Sequence, residues 1–126
     1  MRGRSALMRW SALKRKLSRD AGAIGSAVTR ALMIQTGVVI RRRVVAYGLV
    51  QGVFFRDTCR RQAWAQRVSG WITNREDGAV EAVFEGEPSA VQAMVEWARK
   101  GPPHAHVNKL EVIEEEPRGV RGFSVR

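Results

Sequence analysis

From residue 40 onward the chain alternates between two apolar rhythms. Residues 43–50 are rich in valine and read as a strand that stops at a glycine-bearing loop. Residues 56–68 carry apolar positions at helical spacing, with Asp57 in the first turn, and Gly70 is expected to end that helix. A short strand over 71–74 runs into the turn Arg75-Glu76-Asp77-Gly78, whose Asp-Gly ending suits a hairpin. Val80, Ala82 and Phe84 then alternate with Glu81 and Glu85, the pattern of a strand with one wet face. Pro88 opens a second helix and Gly101-Pro102 closes it, with Val91, Met94, Val95 and Ala98 as its apolar stripe. Met94 and Trp97 at such spacing read as core packing. Residues 107–114 form another alternating strand, and Phe123 with Val125 a last short one.

Strand, helix, strand, strand, helix, strand is the order of a ferredoxin-like βαββαβ sandwich. The expected class is α+β, with two helices on one face of a mostly antiparallel sheet. Right-handed crossovers and short connections suffice to build it. The first and third strands should be neighbours, with the second joined to the third through the hairpin.

The first third of the chain differs. Within 5–19, Ala6, Trp10, Leu13 and Leu17 recur at near-helical spacing among Arg9, Lys14, Arg15, Lys16 and Arg19. That is a basic amphipathic helix, of the kind found in targeting segments or on anionic surfaces. Gly22 and Gly25 interrupt it before an apolar run over 27–34. The simpler expectation is a solvated tail or an over-long translation start, since Met33 would begin a 94-residue chain. The division expected is therefore 1–38 as a basic N-terminal extension and 39–126 as the folded domain. N-terminal mass analysis of the natural protein separates these alternatives.

Charge sharpens that division. The chain of 126 residues has 22 basic and 12 acidic side chains, a net of +10. Eleven basic residues and Asp20 lie in 1–43, while 44–126 holds eleven of each sign. The domain itself has no overall pull on a polyanion, so no nucleic-acid partner is expected for it. One cysteine, Cys59, excludes an internal disulfide and offers no metal spacing; it reads as a small half-buried apolar group. No apolar run reaches the length of a membrane span, so no stable membrane anchor is expected.

Candidate chemistry gathers in Ala-Tyr-Gly-Leu-Val-Gln-Gly-Val-Phe-Phe-Arg, residues 46–56. Gly48 and Gly52 allow a tight curl, and a curled loop aims successive N–H groups at an anion. Arg56 adds a planar fork of donors where the helix begins. Together these suggest a phosphate cradle, although neither the P-loop nor the dinucleotide fingerprint is present. His104 and His106 lie in a loop leading into a strand; being alternate, they would face opposite ways and not act together.

These residues carry a family resemblance. The run Gly48, then Val50-Gln51-Gly52-Val53, Phe54, Phe55 and Arg56 resembles the first signature of the acylphosphatases. Residues 70–86 resemble the second, with Gly70, Trp71, Asn74, Gly78, Val80 and Gly86 where its pattern asks. Ile72 and Thr73 depart from it, which bears on substrate preference more than on chemistry. The resemblance implies hydrolysis of an acyl phosphate to a carboxylate and inorganic phosphate by a cytoplasmic monomer, with no cofactor and no metal. It implies that Arg56 and the backbone amides of Gln51, Gly52, Val53, Phe54, Phe55 and Arg56 bind the phosphate. Asn74 would hold the attacking water. The alternatives are a non-catalytic domain of the same fold, or an RNA-binding ferredoxin-like module, against which the absence of the RNP1 pattern speaks.

Overall fold

Alternation along the strands decides which faces meet. A computed structural model describes residues 37–126; the amphipathic segment, the run 27–34 and Met33 lie outside the described residues. In order come β1 (Ile40–Leu49), α1 (Phe55–Ala65), β2 (Ser69–Asn74), β3 (Val80–Gly86), α2 (Pro88–Lys100), β4 (His106–Glu115) and β5 (Phe123–Val125). The sheet order is β4-β1-β3-β2-β5. β1 runs antiparallel to both β3 and β4, β2 is antiparallel to β3, and β5 joins β2 in parallel. The expected ferredoxin-like sandwich is therefore observed, with the short fifth strand making the sheet mixed.

Every second strand residue faces the helices. Val44, Ala46, Ile72, Val80, Ala82 and Phe84 supply the sheet's contribution to the core; Phe55, Cys59 and Ala63 come from α1, and Val91, Met94, Val95 and Ala98 from α2. Phe84 stacks on Phe123 with centroids 6.1 Å apart, which fastens β5 to the sheet. Phe55 meets Trp97 edge-on at 5.2 Å, tying the start of α1 to α2.

Two boundaries differ from expectation by three residues. The first helix stops at Ala65, not at 68. Val68 N–H returns to Ala63 O and Arg67 N–H to Trp64 O, with Arg67 itself in the left-handed region at φ 56°. Gly70 serves another purpose: a Cβ there would lie 1.8 Å from Val83 O, so the β2–β3 approach requires glycine. The first strand also begins three residues early, at Ile40, because its arginines have partners.

Those partners lie on the sheet face turned away from the helices. Arg41 is fully buried and donates to Glu85 at 3.1 Å and to Glu115 at 2.8 Å. Arg43 donates to Glu115 at 2.9 Å and to Glu81 at 2.8 Å. Glu85, also buried, accepts the backbone N–H groups of Arg118, Gly119 and Val120 at 3.0, 2.7 and 3.0 Å. One carboxylate thus satisfies a buried guanidinium and pins the connection from β4 to β5. Burial works against its ionisation, but the Arg118 amide, the Arg41 guanidinium and the other two amides outweigh burial and hold it below the usual range. Glu115 is drawn down to about 2, chiefly by Arg43 and then by Arg41.

Removing one partner of a buried pair strands the other. Glu85→Ala should destabilise the fold by about 3–5 kcal/mol in urea titration, whereas Glu114→Ala, on a side chain 82% exposed, should stay within about 0.5 kcal/mol. Equal effects would contradict the role assigned to Glu85. The acid limb follows from Glu115. Its folded pKa lies below its ordinary 4.5, so its stabilisation is complete above that pH and fades as pH falls toward about 2. Glu115→Gln should flatten stability across that window; an unchanged acid limb would contradict the assignment.

Candidate active site

Three residues from the end of β1 to the start of α1 have positive φ. Gly48, at φ 127°, lies where β1 slips register against β4; a Cβ there would stand 2.1 Å from His106 O. Its glycine therefore answers to strand packing and not to the loop curl expected of it. Gly52, at φ 74°, and Phe54, at φ 63°, make the curl. A phenylalanine in that region is strained by about 1–2 kcal/mol, and Phe54 as a residue is 77% exposed. Such strain is characteristic of segments held for function.

Phe54 occupies the N-cap of α1, and no side chain caps that end. Thr58 N–H makes an early intrahelical bond, to Phe54 O at 3.1 Å. The amides ahead of it need another partner, and the helix dipole favours a negative one. α2 offers the contrast: Glu87 caps it, accepting from Ser89 N–H at 3.3 Å and Ala90 N–H at 3.2 Å. An anion would compete with a carboxylate there, but not at α1.

Above α1 lies a cleft of about 380 Å³. The loop and the first turn of α1 contribute Val50, Gly52, Phe54, Phe55, Arg56 and Asp57; the next turn adds Arg60; Asn74 and Val125 arrive from β2 and β5. Arg56 and Asn74, 18 positions apart in the chain, share this cleft. They do so because β2 ends at Asn74, opposite Val80, on the side where β1 delivers its loop. Arg56 donates to Arg126 O at 3.2 Å, and Arg126 N–H returns to Ile72 O at 2.8 Å. The Arg126 guanidinium stacks on Trp71 at 4.5 Å. Arg56 is thereby steered by the residue following β5.

The other sequence candidates fall in different places. Phe55 is anchored in the core, Val53 packs against it, and the Gln51 side chain turns to the β2–β3 hairpin, so only their backbones can serve an anion. Ile72 is buried in the core and Thr73 contacts Arg126 O at 3.5 Å; neither is among the cleft's lining residues. His104 and His106 are exposed, and Cys59 is buried with its thiol pushed up by desolvation. Among the described residues no group of three or more His, Cys, Asp or Glu could hold a metal ion.

Asp57, Arg60 and Val125 were missed. Asp57 pairs with Arg60 at 2.8 Å and with Arg61, and Arg60 stacks on Trp64 at 5.1 Å. Spacing of one turn from Arg56 could have flagged Arg60; Val125 gave no such signal, since its place depends on β5 pairing in parallel.

The family model for Acylphosphatase matches residues 42–125. The chain belongs to the acylphosphatase family. It is 58% identical over 88 residues to an acylphosphatase of Rubrobacter xylanophilus, covering 68% of this chain and 79% of that one. It is 50% identical over 86 residues to an acylphosphatase of Gloeobacter violaceus, covering 68% and 92%. Among solved structures, an acylphosphatase from Coxiella burnetii superposes with a TM-score of 0.67 at 35% identity, covering 70% of this chain and 93% of that one. The acylphosphatase from Bacillus subtilis gives 0.67 and 35%, covering 69% and 98%. The domain is an acylphosphatase, an enzyme that hydrolyses the carboxyl–phosphate bond of acyl phosphates.

Proposed function

We propose that Arg56 and the amides of residues 51–56 bind the phosphoryl group of a small acyl phosphate while Asn74 orients the attacking water. What supports this is that Arg56 and Asn74 line one cleft at an uncapped helix start. A carboxylate is a good leaving group, so little acid assistance is needed at the bridging oxygen. The remaining work is to place water in line and stabilise charge on the phosphoryl oxygens, which fixed donors do well. Asn74 cannot take a proton at neutral pH; its carboxamide holds the water, and the proton passes to the substrate's phosphate or to solvent. The phosphorus–oxygen bond to the acyl group breaks as water's oxygen bonds to phosphorus, releasing carboxylate and inorganic phosphate. None of these steps calls for a metal or cofactor.

The proposed setting is a cytoplasmic monomer. Among the described residues no helix is long and apolar enough to cross a membrane, and the domain from Val44 on carries equal numbers of basic and acidic residues. The extension 1–38 is proposed to be dispensable for turnover.

Arg56→Lys keeps the charge but loses the fork, and should lower kcat/KM for acetyl phosphate by about 10²–10³. Near-normal turnover would contradict the cradle. Asn74→Ala should lower kcat by a comparable factor while the inhibition constant of inorganic phosphate moves less than about threefold. A raised KM with unchanged kcat would contradict the water-holding role.

A further inference from the structure

The phosphate loop and Asn74 are carried by different strands, and the sheet does not join them directly at the cleft. The β1–β3 ladder reaches Ala46↔Val80 at this end; beyond it β1 continues against β4, as far as Leu49↔His106. The β2–β3 ladder likewise ends at Asn74↔Val80. Past these rungs the loop and the neck of the β2–β3 hairpin would be free to shift against each other. One side chain spans the gap. Gln51 donates from Nε2 to Arg75 O at 2.8 Å and to Ala79 O at 3.0 Å. Arg75 directly follows Asn74, and Ala79 directly precedes its cross-strand partner. Arg75 N–H also bonds Ala79 O at 2.8 Å, so Gln51 closes on a neck that is already drawn together.

Both acceptors are carbonyl oxygens, and it is the NH2 end of the carboxamide, with two hydrogens, that satisfies them. Val50 and Gly52, which flank Gln51, line the cleft together with Asn74. The hairpin beyond the neck is internally stiff: Asp77 accepts from Ala79 N–H at 3.1 Å and pairs with Arg75 at 2.8 Å. Motion that Gln51 suppresses is therefore motion of a whole rigid turn, with Asn74 at its base.

We propose that the Gln51 side chain is a positioning residue, setting the distance between the phosphate loop and the water held by Asn74. It touches neither substrate nor water and acts through Asn74, so the proposal rests on the role given to Asn74 above. In-line attack is sensitive to separation, and a misplacement of about 1 Å is worth about 10²-fold in rate. A loop staple without kinetic consequence would instead lower stability and leave turnover unchanged.

The test is a double-mutant cycle in the full chain, with acetyl phosphate as substrate and inorganic phosphate as inhibitor. Gln51→Met keeps length and removes both donors; Gln51→Ala leaves no bulk to clash, and carries the same expectations. Each should lower kcat by about 10–100-fold while the phosphate inhibition constant stays within about threefold. In the Asn74→Ala background the same change should lower kcat by less than about threefold, because the group it positions is gone. An unchanged kcat overturns the proposal, as does a full multiplicative loss in the Asn74→Ala background. A phosphate inhibition constant that rises in step with the loss of kcat also overturns it, placing the effect on phosphate binding. Should Asn74→Ala alone retain wild-type kcat, the water-holding role fails first; if that variant is impaired and the Gln51 variants are normal, only the positioning role fails.

Discussion

An uncapped helix start is the constraint on which this domain turns. The first amides of α1 have no side chain to receive them, and desolvating such donors without a partner is unfavourable by an amount comparable to a lost hydrogen bond. α2 meets the same need internally through Glu87. The difference leaves the start of α1 without a side-chain acceptor, beside a cleft that Arg56 also lines. Phe55 contributes from below, its ring against Trp97 and beneath Gly101, where a Cβ would come within 2.7 Å of the Phe55 ring. Strain at Phe54 is sustained because its neighbour is locked in the core.

The two faces of the sheet divide the labour. The helix-facing side is apolar and continuous, and it fixes the direction of α1. The other side is an ion-pair lattice in which Arg41, Arg43, Glu81, Glu85 and Glu115 satisfy one another across β1, β3 and β4. That lattice reaches the cleft by a short path. Arg43 stacks on Trp71 at 5.4 Å, Arg126 stacks on the same ring, and the Arg126 carbonyl receives Arg56. Glu85 fastens the connection that brings β5 alongside β2. Buried charge here organises chain direction in a region with few apolar residues to do so.

Much of this was legible in the residues because local pattern and global packing agree. Alternation along 80–85 identified the strand and its core side, though the opposite face, expected to be wet, buries Val83 and Glu85; Pro88 and Gly101 bracketed α2, and the Asp77-Gly78 turn marked the hairpin. Of the residues the pattern singled out, Gly52, Arg56 and Asn74 line one cleft. What stayed hidden depends on partners distant in sequence. Arg41 looks like part of a polar lead-in until Glu85 and Glu115 stand opposite it. Gly48 and Gly70 looked like loop and helix-end glycines, yet both answer to carbonyls on neighbouring strands, and Arg67 takes the left-handed turn usually given to glycine. Phe54 in that same conformation contradicts its own preference, and Gln51 reads as one residue of a loop until its amide meets Arg75 and Ala79.

The most direct test is a crystal structure of the domain with orthovanadate, which mimics a five-coordinate phosphorus. The account predicts equatorial oxygens within about 2.7–3.2 Å of the Arg56 guanidinium and the amides of residues 51–56, with the Asn74 carboxamide at hydrogen-bond distance from an apical oxygen. Vanadate bound away from α1, or bound there with Asn74 turned from the apical position, would contradict it.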